Sequence, residues 1–197
     1  MTDIPLAQRF TRLWQSTGKA APLSAARDFA VLYEQVHLPV FRYIYGLTGG
    51  PQEEVEDLTA ETFARAWKAR HAFNGSQDEA LSSGAALGWL MQIARRLVID
   101  RYRRRMVRGP SEISLPEDLL APEVPPEQAA LAREQRQTLW RLLQTLPNEP
   151  REMLVLRYLL GWRVNQIADY LGKPENTVSV TIRRALARLQ AAWPEEK

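Results

Sequence analysis

Apolar side chains recur at three- and four-residue steps through most of this chain, and nowhere do they alternate. From about Leu23, the residues Phe29, Leu32, Tyr33, Val36 and Val40 mark one helical stripe, and Gly49-Gly50-Pro51 ends it as a turn. A second helix is predicted over Glu53–Arg70, with Leu58, Phe63, Ala66 and Trp67 on its apolar side. It is acidic in its first turns and basic at its end, the sense that the helix dipole favours. Residues 73–88 (FNGSQDEALSSGAALG) are small, polar and glycine-containing, which predicts a loop, and Trp89–Arg105 then reads as one long helix. Helical periodicity resumes from about Ala129 and continues, with breaks, to Trp193. Without sustained alternation, no sheet is expected: the chain is predicted to be all-α, with two small helical domains.

The pattern divides the 197 residues into an N-terminal extension (1–22), a helical domain (23–105), a linker (106–128) and a second helical domain (129–197). The extension carries a short amphipathic piece, Ile4, Leu6, Phe10, Leu13 and Trp14. The linker holds Pro110, Pro116, Pro122, Pro125 and Pro126 among several carboxylates. Proline removes amide donors and fixes φ, so an extended acidic tether is predicted there rather than a regular helix.

Charge and composition narrow the chemistry. No cysteine is present, which excludes disulfides and thiolate zinc sites and suits a reducing compartment. His37 and His71 have no partner pattern, and the carboxylates lie on amphipathic helices rather than at ligand-like spacing. No metal, no cofactor and no catalytic residue is therefore expected. No charged-then-apolar leader opens the chain, and the apolar runs are short of a membrane span, so a cytoplasmic protein without membrane insertion is expected. The net charge of +3 is modest, but Arg95, Arg96, Arg101, Arg103, Arg104, Arg105 and Arg108 crowd one stretch in which Asp100 is the only acid. Arg183, Arg184 and Arg188 form a second basic set. Localised arginine clusters on a near-neutral chain point to a polyanion, with a solvated helix face as the plainer alternative.

Residues 164–189 (VNQIADYLGKPENTVSVTIRRALARL) have the layout of a helix-turn-helix. Val164, Ile167, Ala168 and Leu171 give a short helix its apolar face, and Gly172 follows where the chain must turn sharply. Pro174 suits the start of the next helix, whose buried side is Val178, Ile182, Ala185, Leu186 and Leu189. Asn176, Thr177, Ser179, Val180, Arg183 and Arg184 are left facing outward. The N-terminal ones would meet base edges in a major groove, and the later arginines, Arg188 included, would hold phosphates. An ordinary helical hairpin with a polar face fits the same spacing.

In the Trp89–Arg105 helix, Trp89, Gln92, Arg96, Asp100 and Arg103 share one stripe, while Leu90, Ile93, Leu97 and Arg101 lie on a neighbouring, core-packing stripe. The first stripe offers an aromatic plane, an amide and guanidinium groups, which suit single-stranded DNA. A core role is the alternative for Trp89.

Together, VEDLTAETFARAW (55–67) and GWLMQIARRLVIDRYRRR (88–105) resemble the core-binding and promoter-melting region of sigma factors. LPNEPREMLVLRYLLGWRVNQIADYLGKPENTVSVTIRRALARL (146–189) resembles their second DNA-binding domain, and the order and separation resemble the extracytoplasmic-function (ECF) group. The resemblance implies a sigma factor that directs bacterial core RNA polymerase to promoters and assists melting. It implies core-polymerase contacts at Asp57, Leu58, Glu61 and Phe63. It implies minus-ten contacts, duplex or single-stranded, at Asn74, Trp89, Gln92, Arg95, Arg96 and Arg103. Minus-thirty-five contacts are implied at Asn176, Thr177, Ser179, Val180, Arg183, Arg184 and Arg188. An anti-sigma partner is left open.

The chain departs from the family pattern at Ala60, where glutamine is usual, at Arg96, where asparagine is common, and at Ser179-Val180-Thr181 in the recognition helix. Two other readings compete: a stand-alone helix-turn-helix regulator, which leaves residues 53–105 unexplained, and a sigma-mimicking protein that captures an anti-sigma factor.

Overall fold

A computed structural model describes residues 26–70, 84–105 and 126–194, and every regular element among them is helical. In chain order these are α1 (Ala26–Thr48), α2 (Gln52–Ala69), α3 (Gly84–Arg105), α4 (Pro126–Gln144), α5 (Asn148–Leu154) with a π-helical turn (Val155–Leu159), α6 (Val164–Leu171) and α7 (Glu175–Ala191). They fall into two compact units. One holds residues 26–44, 54–70 and 84–105; the other holds 45–53 and 126–194. The last turn of α1 and the turn after it thus group with the second unit, although the sequence pattern assigns them to the first domain.

The first unit is a three-helix core. Leu32, Val36, Val40 and Ile44 of α1 are buried with Val55, Leu58, Phe63 and Ala66 of α2 and with Leu87, Leu90, Met91, Ala94 and Leu97 of α3. Aromatic edges close one end of this core: Phe29 lies 5.2 Å from Trp67 and 6.4 Å from Phe63, and Tyr33 lies 4.7 Å from Phe63. Thr59 and Thr62 are buried because each hydroxyl donates back to a carbonyl one turn earlier, of Val55 and Leu58, at 2.7 Å. Pro39 sits inside α1 without ending it.

Helix α3 begins at Gly84, five residues before Trp89, so the tail of the expected 73–88 loop is helical. Ala86 and Leu87 explain the difference: both are buried, and packing outweighs the weak helix preference of the flanking glycines. Likewise α4 starts at Pro126, inside the stretch expected to be linker. Proline at a first helical position loses no hydrogen bond, because that amide has no partner within the helix.

In the second unit, Trp140 and Leu143 of α4 are buried, and Tyr45 meets the Trp140 ring edge-on at 4.8 Å. Burial pushes the Tyr45 phenol up to about 12. Arg151, only 3% exposed, donates to the carbonyls of Leu47 (2.6 Å), Gln144 (2.9 Å) and Leu146 (2.8 Å). One guanidinium therefore serves carbonyls left over at the ends of two helices, α1 and α4. Helix α5 widens after Leu154 into the π-helical turn. The Leu160 amide reaches back five residues to Val155 at 3.1 Å, and Gly161, at φ 72°, ends the element.

Candidate nucleic-acid interface

The local sequence explains how α6 and α7 are joined. The Gln166 side chain accepts from the Arg163 amide at 2.7 Å, satisfying an orphan donor at the start of α6. Gly172 ends α6 in the left-handed region (φ 64°, ψ 39°), and the Lys173 amide returns to the Ala168 carbonyl at 2.9 Å. Pro174, extended at ψ 140°, then leads into α7. Lys173 reaches Glu149 of α5 at 3.1 Å, fastening the turn to the preceding helix.

Ile167 and Ala168 of α6 are buried, as are Val178, Ile182, Ala185 and Leu189 of α7. Val164, Leu171 and Leu186, expected on the same faces, are half-buried. The opposite face of α7 exposes Asn176, Thr177, Ser179, Arg183, Arg184 and Arg188, with Val180 half-buried among them. The result is a row of short polar groups at the helix start and three guanidiniums farther along. That arrangement can hydrogen-bond planar edges at one end and neutralise phosphates at the other.

On α3, Gln92, Arg96 and Arg103 are exposed, Trp89 and Asp100 are half-buried on the same stripe, and Arg95 is half-buried beside it. Leu90 and Leu97 fill the core stripe as expected, and Ile93 is half-buried. Arg101, placed on that core stripe by periodicity, instead keeps its head near the surface and pairs with Glu54 of α2 at 2.8 Å. Asn74 lies outside the described residues.

A groove of about 510 Å³ runs between α2 and α3, with Leu58, Ala60 and Leu97 among its lining and Glu54, Asp57 and Glu61 along α2. Asp57 and Glu61 are exposed. Glu61 is held by Arg65 at 2.7 Å, one turn later. Leu58 and Phe63, expected as partner contacts, are 8% and 5% exposed. Leu58 reaches the groove only as part of its floor, and Phe63 is enclosed by α1 aromatics, so its role in this geometry is packing. Among the described residues there is no cluster of His, Cys, Asp or Glu that could hold a metal, and no helix long and apolar enough to cross a membrane.

Sequence reasoning missed two features. The Glu54–Arg101 pair joins residues 47 apart, beyond any local spacing rule. Arg151, in a polar-looking helix start, gives no sign in the sequence that it is buried. The Glu61–Arg65 pair was accessible from its four-residue spacing.

A polar, arginine-bearing second helix behind an αL turn defines a DNA-binding helix-turn-helix unit, here preceded by a separate helical unit with a cationic helix. Comparison with known proteins places this combination. Residues 32–107 match the family model for sigma-70 region 2, and residues 136–189 match that for sigma-70, region 4. The chain is 32% identical over 171 residues to the ECF RNA polymerase sigma factor ShbA of Streptomyces griseus, covering 81% of this chain and 84% of that protein. It is 33% identical over 179 residues to the ECF RNA polymerase sigma factor BldN of Streptomyces coelicolor, covering 89% of this chain but 64% of that protein. Two solved structures share the fold. One is the sigma factor RpoE in complex with the anti-sigma factor NepR from Bartonella quintana (TM-score 0.61, 21% identity, 84% of this chain and 96% of that one). The other is CnrH in complex with the cytosolic domain of CnrY (TM-score 0.59, 22% identity, 95% and 94%). The chain belongs to the ECF RNA polymerase sigma factors.

Proposed function

We propose that this protein directs bacterial core RNA polymerase to promoters and helps to open them, with each helical unit taking one part of the work. In this reading α7 lies in the major groove at the minus-thirty-five element. Asn176, Thr177, Ser179 and Val180 meet base edges there, while Arg183, Arg184 and Arg188 hold phosphates. Helix α3 holds the opened minus-ten strand through Trp89, Gln92, Arg95, Arg96 and Arg103, with Asn74 of the preceding segment beside an extruded base. Helix α2 docks on a basic surface of the polymerase through Asp57 and Glu61, with Leu58 beneath them. The domain division at 23–105 and 129–197, with an acidic tether between, follows the same division of labour.

The observation that carries this reading is the pairing, in one chain, of an exposed polar-then-cationic recognition helix with a second exposed cationic helix beside an acidic one. A stand-alone regulator needs only the first. The protein itself catalyses no reaction and works in the cytoplasm, where its polymerase partner and DNA are. An anti-sigma factor is a further expected partner, since both fold neighbours were solved bound to another protein, NepR or the cytosolic domain of CnrY.

Mapping transcription starts tests the proposal. Core polymerase is mixed with the purified chain and genomic promoter fragments, and a set of starts is expected to depend on the chain. If no start depends on it while the chain alone shifts duplex DNA at low concentration, the stand-alone regulator reading replaces this one.

A further inference from the structure

The arginines of α3 do not share one direction. At about 100° per residue, Arg103 falls within about 20° of Arg96 around the helix, whereas Arg101 lies about 140° away. Leu97, one turn before Arg101, is buried and lines the groove against α2, so Arg101 is carried toward α2 and away from the Arg96–Arg103 stripe. There its Nε donates to Oε1 of Glu54 at 2.8 Å. The two partners differ in exposure: the Glu54 side chain is 10% exposed and that of Arg101 47%. A carboxylate so far removed from water depends on its charge partner far more than an exposed one does.

We propose that Glu54 is a positioning residue for promoter opening: it holds Arg101 against α2, so that this arginine ties the polymerase-docking helix to the strand-holding helix and takes no part in binding the strand. The inference rests on the proposed role of α3 in holding opened DNA. It divides the arginine run, which reads as one uniform basic patch in sequence, into a DNA-facing stripe (Arg96, Arg103) and a strut against α2 (Arg101). The strut carries the orientation set by docking on α2 to the helix that meets the strand.

Counterion release gives a readout that a merely structural role would not move. Each phosphate neutralised on single-stranded DNA adds about 0.7 to the steepness of log affinity against log salt. The holoenzyme, reconstituted from core polymerase and the full chain, is titrated with a fluorescein-labelled single-stranded oligonucleotide pool of randomised sequence at several salt concentrations. Arg96→Ala is expected to flatten the slope by about 0.7, and Arg101→Ala to leave it at the parent value. Glu54→Gln, which keeps shape and removes charge, is expected to weaken strand binding at every salt concentration and to leave the slope at the parent value, because Arg101 stays on the α2 side of its helix. The double variant Glu54→Gln/Arg101→Ala should bind no more weakly than Arg101→Ala alone, and Glu54→Asp should restore most of the parent affinity. The proposal is overturned if Arg101→Ala flattens the slope as much as Arg96→Ala does, or if Glu54→Gln leaves the affinity unchanged. The Arg101→Ala arm decides the matter even if Glu54→Gln folds poorly. If Arg96→Ala and Arg103→Ala both leave the slope unchanged, the strand-holding role of α3 itself fails, an outcome distinct from failure of the strut.

Discussion

Replacing glycine by alanine at two positions should change stability in opposite directions, for reasons visible in the backbone. Gly172 ends α6 at φ 64°, and a Cβ built there meets nothing within 4 Å. Gly172→Ala therefore incurs no collision, only the left-handed penalty of an L-residue, about 1–2 kcal/mol. Part is offset because alanine also restricts the unfolded chain, by about 0.4–1 kcal/mol. The net expectation is a loss of about 1 kcal/mol, or about 4 °C or more in the melting temperature of a unit this small. Gly172→Asn should lose less, since asparagine tolerates the left-handed region. Gly88 lies inside α3, also with nothing within 4 Å of an added Cβ, but without a positive φ. There alanine has only the helix-propensity advantage, and Gly88→Ala should stabilise by about 0.5–1 kcal/mol. Thermal unfolding of the full chain, followed by far-ultraviolet circular dichroism, measures both. If Gly172→Ala melted at or above the parent temperature, or Gly88→Ala below it, the backbone reasoning would be refuted. Because the αL turn sets the approach of α7 to α6, Gly172→Ala should also weaken duplex binding, and Gly88→Ala should not.

Other outcomes follow from single contacts. Asp57→Asn should weaken affinity for core polymerase more than Glu61→Gln in a fluorescence binding assay, because the Glu61 carboxylate is already engaged by Arg65 at 2.7 Å. Arg183→Ala should weaken duplex binding and reduce its salt slope by about 0.9, whereas Arg96→Ala should impair promoter opening more than initial binding in stopped-flow measurements. Arg151→Met should destabilise the second unit by about 3 kcal/mol or more, measured by urea unfolding, since three carbonyls lose a charged donor in a buried place. Tyr45 has a phenol raised from 10.0 to about 12, so its contribution is complete below pH 10 and is lost as pH rises toward 12. Tyr45→Phe should therefore flatten the fall of stability between pH 10 and 12, seen as a smaller drop in melting temperature than in the parent.

What could be read in advance depended on whether a signal was local. The stripe through Val178, Ile182, Ala185 and Leu189 repeats at helical steps, and each of those residues is buried. Gly172 was legible as the turn because only a residue without Cβ enters that conformation cheaply, and the αL geometry bears this out. Element ends were less legible. Gly84 and Pro126 look like breakers in sequence, yet α3 and α4 start at those residues, α3 supported by buried Ala86 and Leu87 and α4 at a position where a proline has no hydrogen bond to lose. The π-helical turn had no signal at all, since a five-residue return at Leu160 depends on what the surrounding helices allow.

The candidate site shows the same division, with one instructive conflict. Periodicity put Leu58 and Phe63 on the apolar side of α2, while family resemblance offered them as partner contacts. Both are buried, as the periodic pattern predicts for them. Charge behaves differently from apolarity, because an arginine in sequence says nothing about where its head goes. Arg183 and Arg184 remain exposed, Arg101 turns to a carboxylate 47 residues away, and Arg151 is buried against the carbonyls of three residues. Counting basic residues therefore overstates the surface offered to DNA. A guanidinium held by oxygen acceptors of the protein itself has fewer donors left to offer a phosphate. In the proposed reading, the exposed Arg96 and Arg103 on α3 and Arg183, Arg184 and Arg188 on α7 then carry most of the phosphate contacts, with half-buried Arg95 beside the first pair.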